Sequence, residues 1–333
     1  MPIALANPLL LALIVLSLIF DFLNGFHDSS NIVATVIFSR ALNPRLTMLL
    51  AALSHMAGPF LFGTAVATTI GHELMVEDTL TLLVLIAALV AAILWNLVTW
   101  YIGVPSSSSH ALLGGLLGSA VIQSGGFAII KTTGLLKIIA VLLISPVVGL
   151  LVGYIVMRVT LFSLRKATPK VNTWLRKLQV VTLIILGLSH GTNDAQKTMG
   201  IIALGLLLTG QIDQFGIPPW VVGVSALAIA IGTSLGGWRL IRTLGGKIYR
   251  IRPIHGFTSQ IAGASVILGA ALLGGPVSTT QVMSSSIMGV GAAERINKVR
   301  WTVLVDMITA WLLTIPLTAL LAGLVYLGLD LIL

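Results

Sequence analysis

The chain has 333 residues, 57% hydrophobic and only 9% charged; a soluble domain carries about 25% charged residues, so a water-facing globule is excluded. Lys and Arg total 19 against 10 Asp and Glu, a formal charge of +9. The basic residues sit in short loops between apolar runs, which marks one side of a membrane and not a nucleic-acid surface. The absence of cysteine removes disulfides, thiol catalysis and cysteine-based metal sites.

In chain order, apolar segments are predicted at about 3–39, 46–70, 80–103, 108–124 and 137–158, then at about 178–210, 219–240, 257–275, 280–293 and 300–328. All ten are expected to be helical, because only helices and closed barrels satisfy their backbone groups in lipid. Met1 to Phe20 holds no basic residue, so it lacks the charged region of a cleavable signal and is read as a span that stays. Arg40 and Arg45 follow the first segment. Arg158, Arg165, Lys166, Lys170, Arg176 and Lys177 fill the central connection, while Arg239 to Arg252 and Arg295 to Arg300 form two further basic loops. Assigning these loops to the cytoplasm places the N-terminus outside, with one conflict around Lys131 and Lys137. Glu73, Glu77 and Asp78 beside His72 read as an exposed acidic loop, not a metal site. Trp95, Trp100, Trp220, Trp238, Trp301 and Trp311 lie towards span ends and read as interface anchors. His55 and His255 read as structural.

The chain repeats itself. Gly25–Phe26–His27–Asp28 echoes Gly191–Thr192–Asn193–Asp194, and Pro105–Ser106–Ser107–Ser108–Ser109–His110 echoes Pro276–Val277–Ser278–Thr279–Thr280–Gln281. The fold class expected is therefore an all-α integral membrane protein of two inverted-topology repeats, with broken or re-entrant helices at the midplane. The first repeat spans 1–160, a short basic cytoplasmic linker 161–177, and the inverted second repeat 178–333.

Segments one and six are too long for a ~30 Å hydrocarbon core at 1.5 Å per residue, and each carries a polar cluster in its middle. A break at membrane depth is expected in both, which would turn ten spans into twelve. Asp21, Asn24, Asp28 and Asn31 fall on one helical stripe; His190, Asn193 and Lys197 repeat the spacing, with Asp194 alongside. Carboxylates at that depth face a polar interior. Each Gly–Pro–hydroxyl run opens a helix, so two helix N-termini with free N–H groups meet near the midplane and suit a tetrahedral oxyanion held from two sides. Asp21, Asp28 and Asp194 with Lys197 leave that interior with two net negative charges. A dianion entering alone would be intolerable there, so cations, as Na+ or as protons, must enter with it. His27 and His110 are candidates for proton handling, and Asp306 for a buried polar contact or a cation ligand.

These residues resemble the inorganic phosphate transporter (PiT) family. The run Asn24 to Asn31 (NGFHDSSN) is similar to its first signature and His190 to Ile202 (HGTNDAQKTMGII) to the repeat of it. Pro105 to His110 and Pro276 to Thr280 are similar to its hydroxyl-rich segments, and Ala310 to Pro316 to its C-terminal span. The resemblance implies uptake of inorganic phosphate with Na+ or H+. Ser106, Ser107, Ser108, Ser109, Ser278, Thr279 and Thr280 would hold phosphate with Gln196 and Lys197 nearby. Asp28, Asn31, Asn193 and Asp194 would serve Na+, with Asp21 and Asn24 as further candidates. Gln281 stands where the family often has a histidine, which favours sodium over protons. The short central loop points to a prokaryotic plasma membrane.

The reading is thus a cation-coupled phosphate symporter with no cofactor beyond the co-transported ion, and no nucleic-acid partner. Its alternatives are an H+-coupled or metal–phosphate transporter, or a sulfate permease of the same family. A membrane hydrolase using Asp28 and Asp194 as acid and base is disfavoured, because both sit in repeated motifs and the chain offers no soluble domain. Sequence leaves open whether the protein is a homo-oligomer.

Overall fold

The computed structural model describes residues 7–74 and 80–332. Glu77 and Asp78 of the expected acidic loop lie outside the described residues, as do the side chains of His72 and Glu73. Twelve α-helices are described: α1 Pro8–Phe38, α2 Pro44–Leu61, α3 Ala65–Thr68, α4 Leu82–Ile102, α5 Ser108–Ser124, α6 Thr132–Ser163, α7 Val171–Leu208, α8 Pro219–Leu235, α9 Trp238–Arg242, α10 Pro253–Leu272, α11 Thr279–Glu294 and α12 Trp301–Asp330. Among the described residues no strand forms. All ten expected segments are helical. Five helices are long and apolar enough to cross a membrane, and α2 with α3 and α8 with α9 make two more spans if each bent pair counts as one.

The outer faces carry apolar side chains. Leu143, Val147, Leu151 and Ile155 on α6 are all more than half exposed, as are Leu312, Leu320 and Leu324 on α12. In water such a surface would aggregate; in lipid it is the solvent-facing side. The inner face of α6 is narrow and built largely of small residues, Ser145, Gly149 and Gly153. That allows close helix approach, the way helices associate where no hydrophobic force drives them together.

The expected breaks in the two long helices are corrected: α1 and α7 are continuous over 31 and 38 residues, and no splitting of these helices yields extra spans. Their polar clusters stay helical because the hydroxyls fold back onto the helix. Ser29 donates to the Phe26 carbonyl (2.8 Å), Ser30 to His27 (3.1 Å), Ser189 to Ile185 (2.8 Å) and Thr192 to Leu188 (2.8 Å). The breaks fall elsewhere. α2 turns into α3 through 71° and α8 into α9 through 59°, each beside a glycine in the left-handed region, Gly63 (φ 77°) and Gly236 (φ 67°). An α7 side chain, Gln196, closes the first break; an α1 side chain, Ser29, closes the second by accepting from Gly237 N–H (3.1 Å).

α5 and α11 contain 17 and 16 residues, about 25 Å at 1.5 Å per residue and short of the ~30 Å core. Each is entered by an extended buried stretch after a left-handed glycine, Gly103 (φ 78°) and Gly274 (φ 71°). Each hydroxyl-rich run thus opens a helix, as the sequence led us to expect.

Packing between helices comes in matched pairs. α1 lies on α8 as α7 lies on α2; α5 packs on α12 as α11 packs on α6; α1 borders α4 as α7 borders α10. The crossings are backbone against backbone. A Cβ placed on Gly25 would come 2.1 Å from the Ile229 carbonyl oxygen, and one on Gly191 2.0 Å from that of His55. The regular connection between the halves is only 164–170, because α6 and α7 extend well into the expected 161–177 linker. Lys137, which conflicted with the loop-charge pattern, donates to Thr69 Oγ1 (3.5 Å). Trp311 is corrected from interface anchor to a buried residue whose indole N–H donates to the Pro105 carbonyl (3.2 Å), pinning the entry to α5.

Candidate functional site

The middle turns of α1 and α7 run alongside the N-termini of α5 and α11, and the polar motifs meet there. Asp21, Asn24, Asp28, Asn31, Asn193, Asp194 and Lys197 are all buried, none above 1% exposed. Ser107 caps α5 by accepting from His110 N–H (3.2 Å), and Ser278 caps α11 by accepting from Gln281 N–H (3.3 Å). These caps hold the hydroxyls next in line against the carboxylates.

Asp28 receives hydroxyls from both half-helices. Thr280 donates to its Oδ1 (2.7 Å) and Ser108 to its Oδ2 (3.4 Å), while Asn31 Nδ2 donates to Oδ1 (3.1 Å) and also to Thr280 Oγ1 (3.0 Å). His27 Nδ1 lies 3.2 Å from the same Oδ1. In the other half, Lys197 Nζ donates to Asp194 Oδ1 at 2.7 Å, and Thr279 reaches Oδ2 of Asp194 at 3.2 Å. A lone charge at this depth costs several kcal/mol, and here each carboxylate has donors aimed at it. The corresponding residues sit in corresponding places: Ser108 on Asp28, Thr279 on Asp194, with Asn31 and Lys197 each three residues after their aspartate. His110 and Gln281, which occupy the same place in the two motifs, face each other at 3.5 Å.

The remaining predicted residues divide. Ser106 bonds Thr99 (2.7 Å), Ser109 donates to the Val277 carbonyl (3.0 Å) and Asn193 donates to the Gly275 carbonyl (3.4 Å), so these three tie the two extended entries to their surroundings. Gln196 lies beside the cluster in sequence, yet its amide is spent on backbone. It accepts from Val66 and Ala67 N–H (2.8 and 3.2 Å) and donates to Gly63 (2.6 Å), clamping the α2–α3 bend. Asp306 is exposed on α12, which corrects the expectation of a buried polar contact there.

Asp21 and Asn24 form a second polar pocket one to two turns away along α1. Asp21 accepts from Thr198, and its Oδ2 is unpartnered; so are both amide atoms of Asn24, Oγ of Ser17, Oγ of Ser225 and both amide atoms of Asn96. Buried polar atoms left without partners are rare and call for an ion or water. Sequence reading missed Thr198, Ser225 and Asn96. Asn96 carried a usable signal, an amide in the middle of an otherwise apolar helix; single hydroxyls did not. A cavity of about 20 Å³ beside Lys197, Ser109 and Pro276 has room for one water.

The arrangement offers oxygen ligands for a small hard cation and, pressed against them, hydroxyls and helix N-termini suited to an oxyanion. The chain matches the phosphate transporter family over residues 24–170 and 162–322. It is 42% identical over 328 residues to a Bacillus subtilis protein described as a "probable low-affinity inorganic phosphate transporter", covering 97% of this chain and 98% of that one. A Rhizobium meliloti protein of the same description is 42% identical over 330 residues, with 98% of both chains covered. Among solved structures, "The sodium-dependent phosphate transporter" superposes with a TM-score of 0.88 at 23% identity, covering 98% of this chain and 100% of that one, and so shares its fold. A buried polar core inside lipid-facing helices, and a sequence that fits one family across both halves, lead to one conclusion: the chain belongs to the phosphate transporter family, as a multi-pass membrane transporter and not an enzyme.

Proposed function

We propose that the protein is a Na+-coupled symporter of inorganic phosphate working by alternating access between two inverted repeats, 1–160 and 178–333. The observation that carries this reading is the bonding of Asp28 to Ser108 of α5 and Thr280 of α11 at once. The same hydroxyls that would receive phosphate are held by the carboxylate that would receive sodium. A sodium ion on Asp28 and Asn31 releases these hydroxyl protons towards an incoming anion, so each ligand prepares the site for the other. Asp21, Asp28, Asp194 and Lys197, all buried, leave a net negative core that rejects a dianion entering without cations. Asp21, Asn24, Asn193 and Asp194 are the further cation ligands, and Ser107, Ser278, Thr279 and Lys197 the further anion contacts. By the positive-inside pattern of the basic loops, the N-terminus would lie outside a prokaryotic plasma membrane.

The test is radiolabelled phosphate uptake into proteoliposomes under an inward Na+ gradient, and then under an inward H+ gradient without Na+. Uptake with sodium alone supports the reading. Uptake driven by protons alone moves the coupling to His27, His110 and protonated aspartates. Uptake of sulfate and not phosphate refutes the substrate.

A further inference from the structure

The polar interior continues past Asn31. Thr35 and Ser39 follow on α1 at intervals of four residues, on the same stripe. Oδ1 of Asn31, Oγ1 of Thr35, Nε2 of Gln260 and Oγ of Ser284 are all buried without a hydrogen-bond partner. The thread ends at Gln179, a fully buried amide on α7. Gln179 accepts from Ser39 (2.8 Å) and donates to the Pro253 carbonyl (3.2 Å), joining the end of α1 to the start of α10. Gly256 sits against it: a Cβ there would lie 2.3 Å from Gln179 Oε1 and 3.3 Å from the Thr35 carbonyl. Thr35, Gly256, Gln179 and Ser39 are thus one contiguous polar partition.

Behind that partition, on the face of the basic loops, opens a cavity of about 520 Å³. It is lined by Ser39, Arg40, Arg176, Arg250, Arg252 and Arg300, with no carboxylate in its wall. Glu294 takes up Arg252, but Arg40, Arg176 and Arg250 have no ion pair among the described residues. Arg40 is also the single non-glycine residue with a left-handed backbone among the described residues (φ 56°), a conformation that costs energy unless the surroundings hold it. Like charges gathered around a concave space repel one another and lower that cost by binding an anion. The guanidinium fork matches phosphate oxygens two at a time.

We propose that this arginine-lined cavity is a second binding site for inorganic phosphate, a vestibule on the basic face that exchanges anion with the Asp28–Thr280 site through the thread closed at Gln179. The inference rests on the phosphate-transport reading above. A lipid phosphodiester shares the binding chemistry, and the test separates the two.

The experiment is calorimetric titration of inorganic phosphate into the full chain in phosphatidylcholine nanodiscs, with sodium and with choline in its place, for the native protein and for R40Q/R250Q. The native chain is expected to show two classes of site. One requires sodium; the other persists in choline and weakens as salt rises. In R40Q/R250Q the choline-resistant class weakens about tenfold or more, and the sodium-requiring class remains. A native chain without the choline-resistant class overturns the proposal, as does its full retention in R40Q/R250Q. Its disappearance when phosphatidylglycerol is added to the discs assigns the cavity to lipid, and also overturns it. Loss of the sodium-requiring class alone strikes the transport reading and leaves the arginine comparison readable.

Discussion

Asp28 and Asp194 stand in different company, and their substitutions should fail differently. Asp28 is held by the hydroxyls of Thr280 and Ser108 and the amide of Asn31, so Asp28→Asn keeps much of the hydrogen bonding while removing the charge that attracts sodium; uptake should lose its sodium dependence before it loses phosphate affinity. Asp194 is ion-paired with Lys197, so Asp194→Asn leaves a buried ammonium without its counter-charge, and the folded yield itself should fall. Thr280→Val removes a hydroxyl bonded to a charged group, an interaction of about 1.5–3 kcal/mol, and the half-saturating phosphate concentration should rise ten- to a hundredfold. An unchanged uptake curve for Thr280→Val would refute its place in the site. At the membrane edge, Glu294 gathers Arg252, His255 and Lys298. Partial burial pushes its carboxyl up, but the hydrogen bonds from Lys298, His255 and Arg252 outweigh it and bring the pKa from its ordinary 4.5 down to about 2. A depressed carboxylate contributes stability fully above its unfolded pKa and loses it as pH falls through the folded one. The Tm difference between native protein and Glu294→Gln should therefore stay constant from pH 8 to 5 and close between about 4.5 and 2. The charged members of the candidate site stood out in the sequence because a carboxylate is costly inside an apolar run, although Asp306 shows that the same signal also marks an exposed residue. Thr198 and Ser225 were not, since a single hydroxyl in a membrane helix commonly bonds its own backbone.

The elements were legible in kind and misread in their interruptions. Ten apolar runs became ten helical segments, and the glycine–proline–hydroxyl runs marked the starts of α5 and α11 because left-handed glycine and N-cap chemistry are local. The length of α1 and α7 suggested breaks that do not exist. Whether a polar stretch stays helical depends on what lies across from it, and the partners of Asn31 and Asp21 are some 250 and 177 residues away. The helix crossings make their own prediction. Gly25→Ala or Gly191→Ala drives a methyl into backbone of the facing helix, and should lower thermal stability and the yield of folded protein. Gly223→Ala on α8 meets nothing within 4 Å, and by helix propensity should be neutral or stabilising by up to ~1 kcal/mol. Equal stability of Gly191→Ala and Gly223→Ala would refute the crossing geometry.

For the whole molecule, the pairing of helices across the halves and the segregation of charge point the same way. If the two repeats are inverted, the connection at 164–170 and the loop after α11 share a face, and the connection between α7 and α8 opens on the other. The native chain holds no cysteine, so single substitutions report cleanly. In oriented vesicles, a membrane-impermeant maleimide should reach Lys166→Cys and Arg295→Cys from one side and Asp213→Cys from the other. Labelling of Lys166→Cys and Asp213→Cys from the same side would end the inverted-repeat reading. Net charge and loop position carry the expectation of this orientation in the sequence; which helices touch was beyond it, because a stripe of small residues says that something packs closely without saying what.

The glycine seams between α1 and α8 and between α7 and α2 carry a mechanical consequence. Where side chains interlock, one helix cannot move past another without lifting each ridge out of its groove. A seam of bare peptide has no such teeth, and small sliding displacements leave its contacts nearly unchanged. These seams flank the two helices that bear Asp28 and Asp194, so the cluster can be carried along as a unit while the surrounding helices glide. Gly25 and Gly191, which fix how close the helices lie, thereby keep them from being welded together.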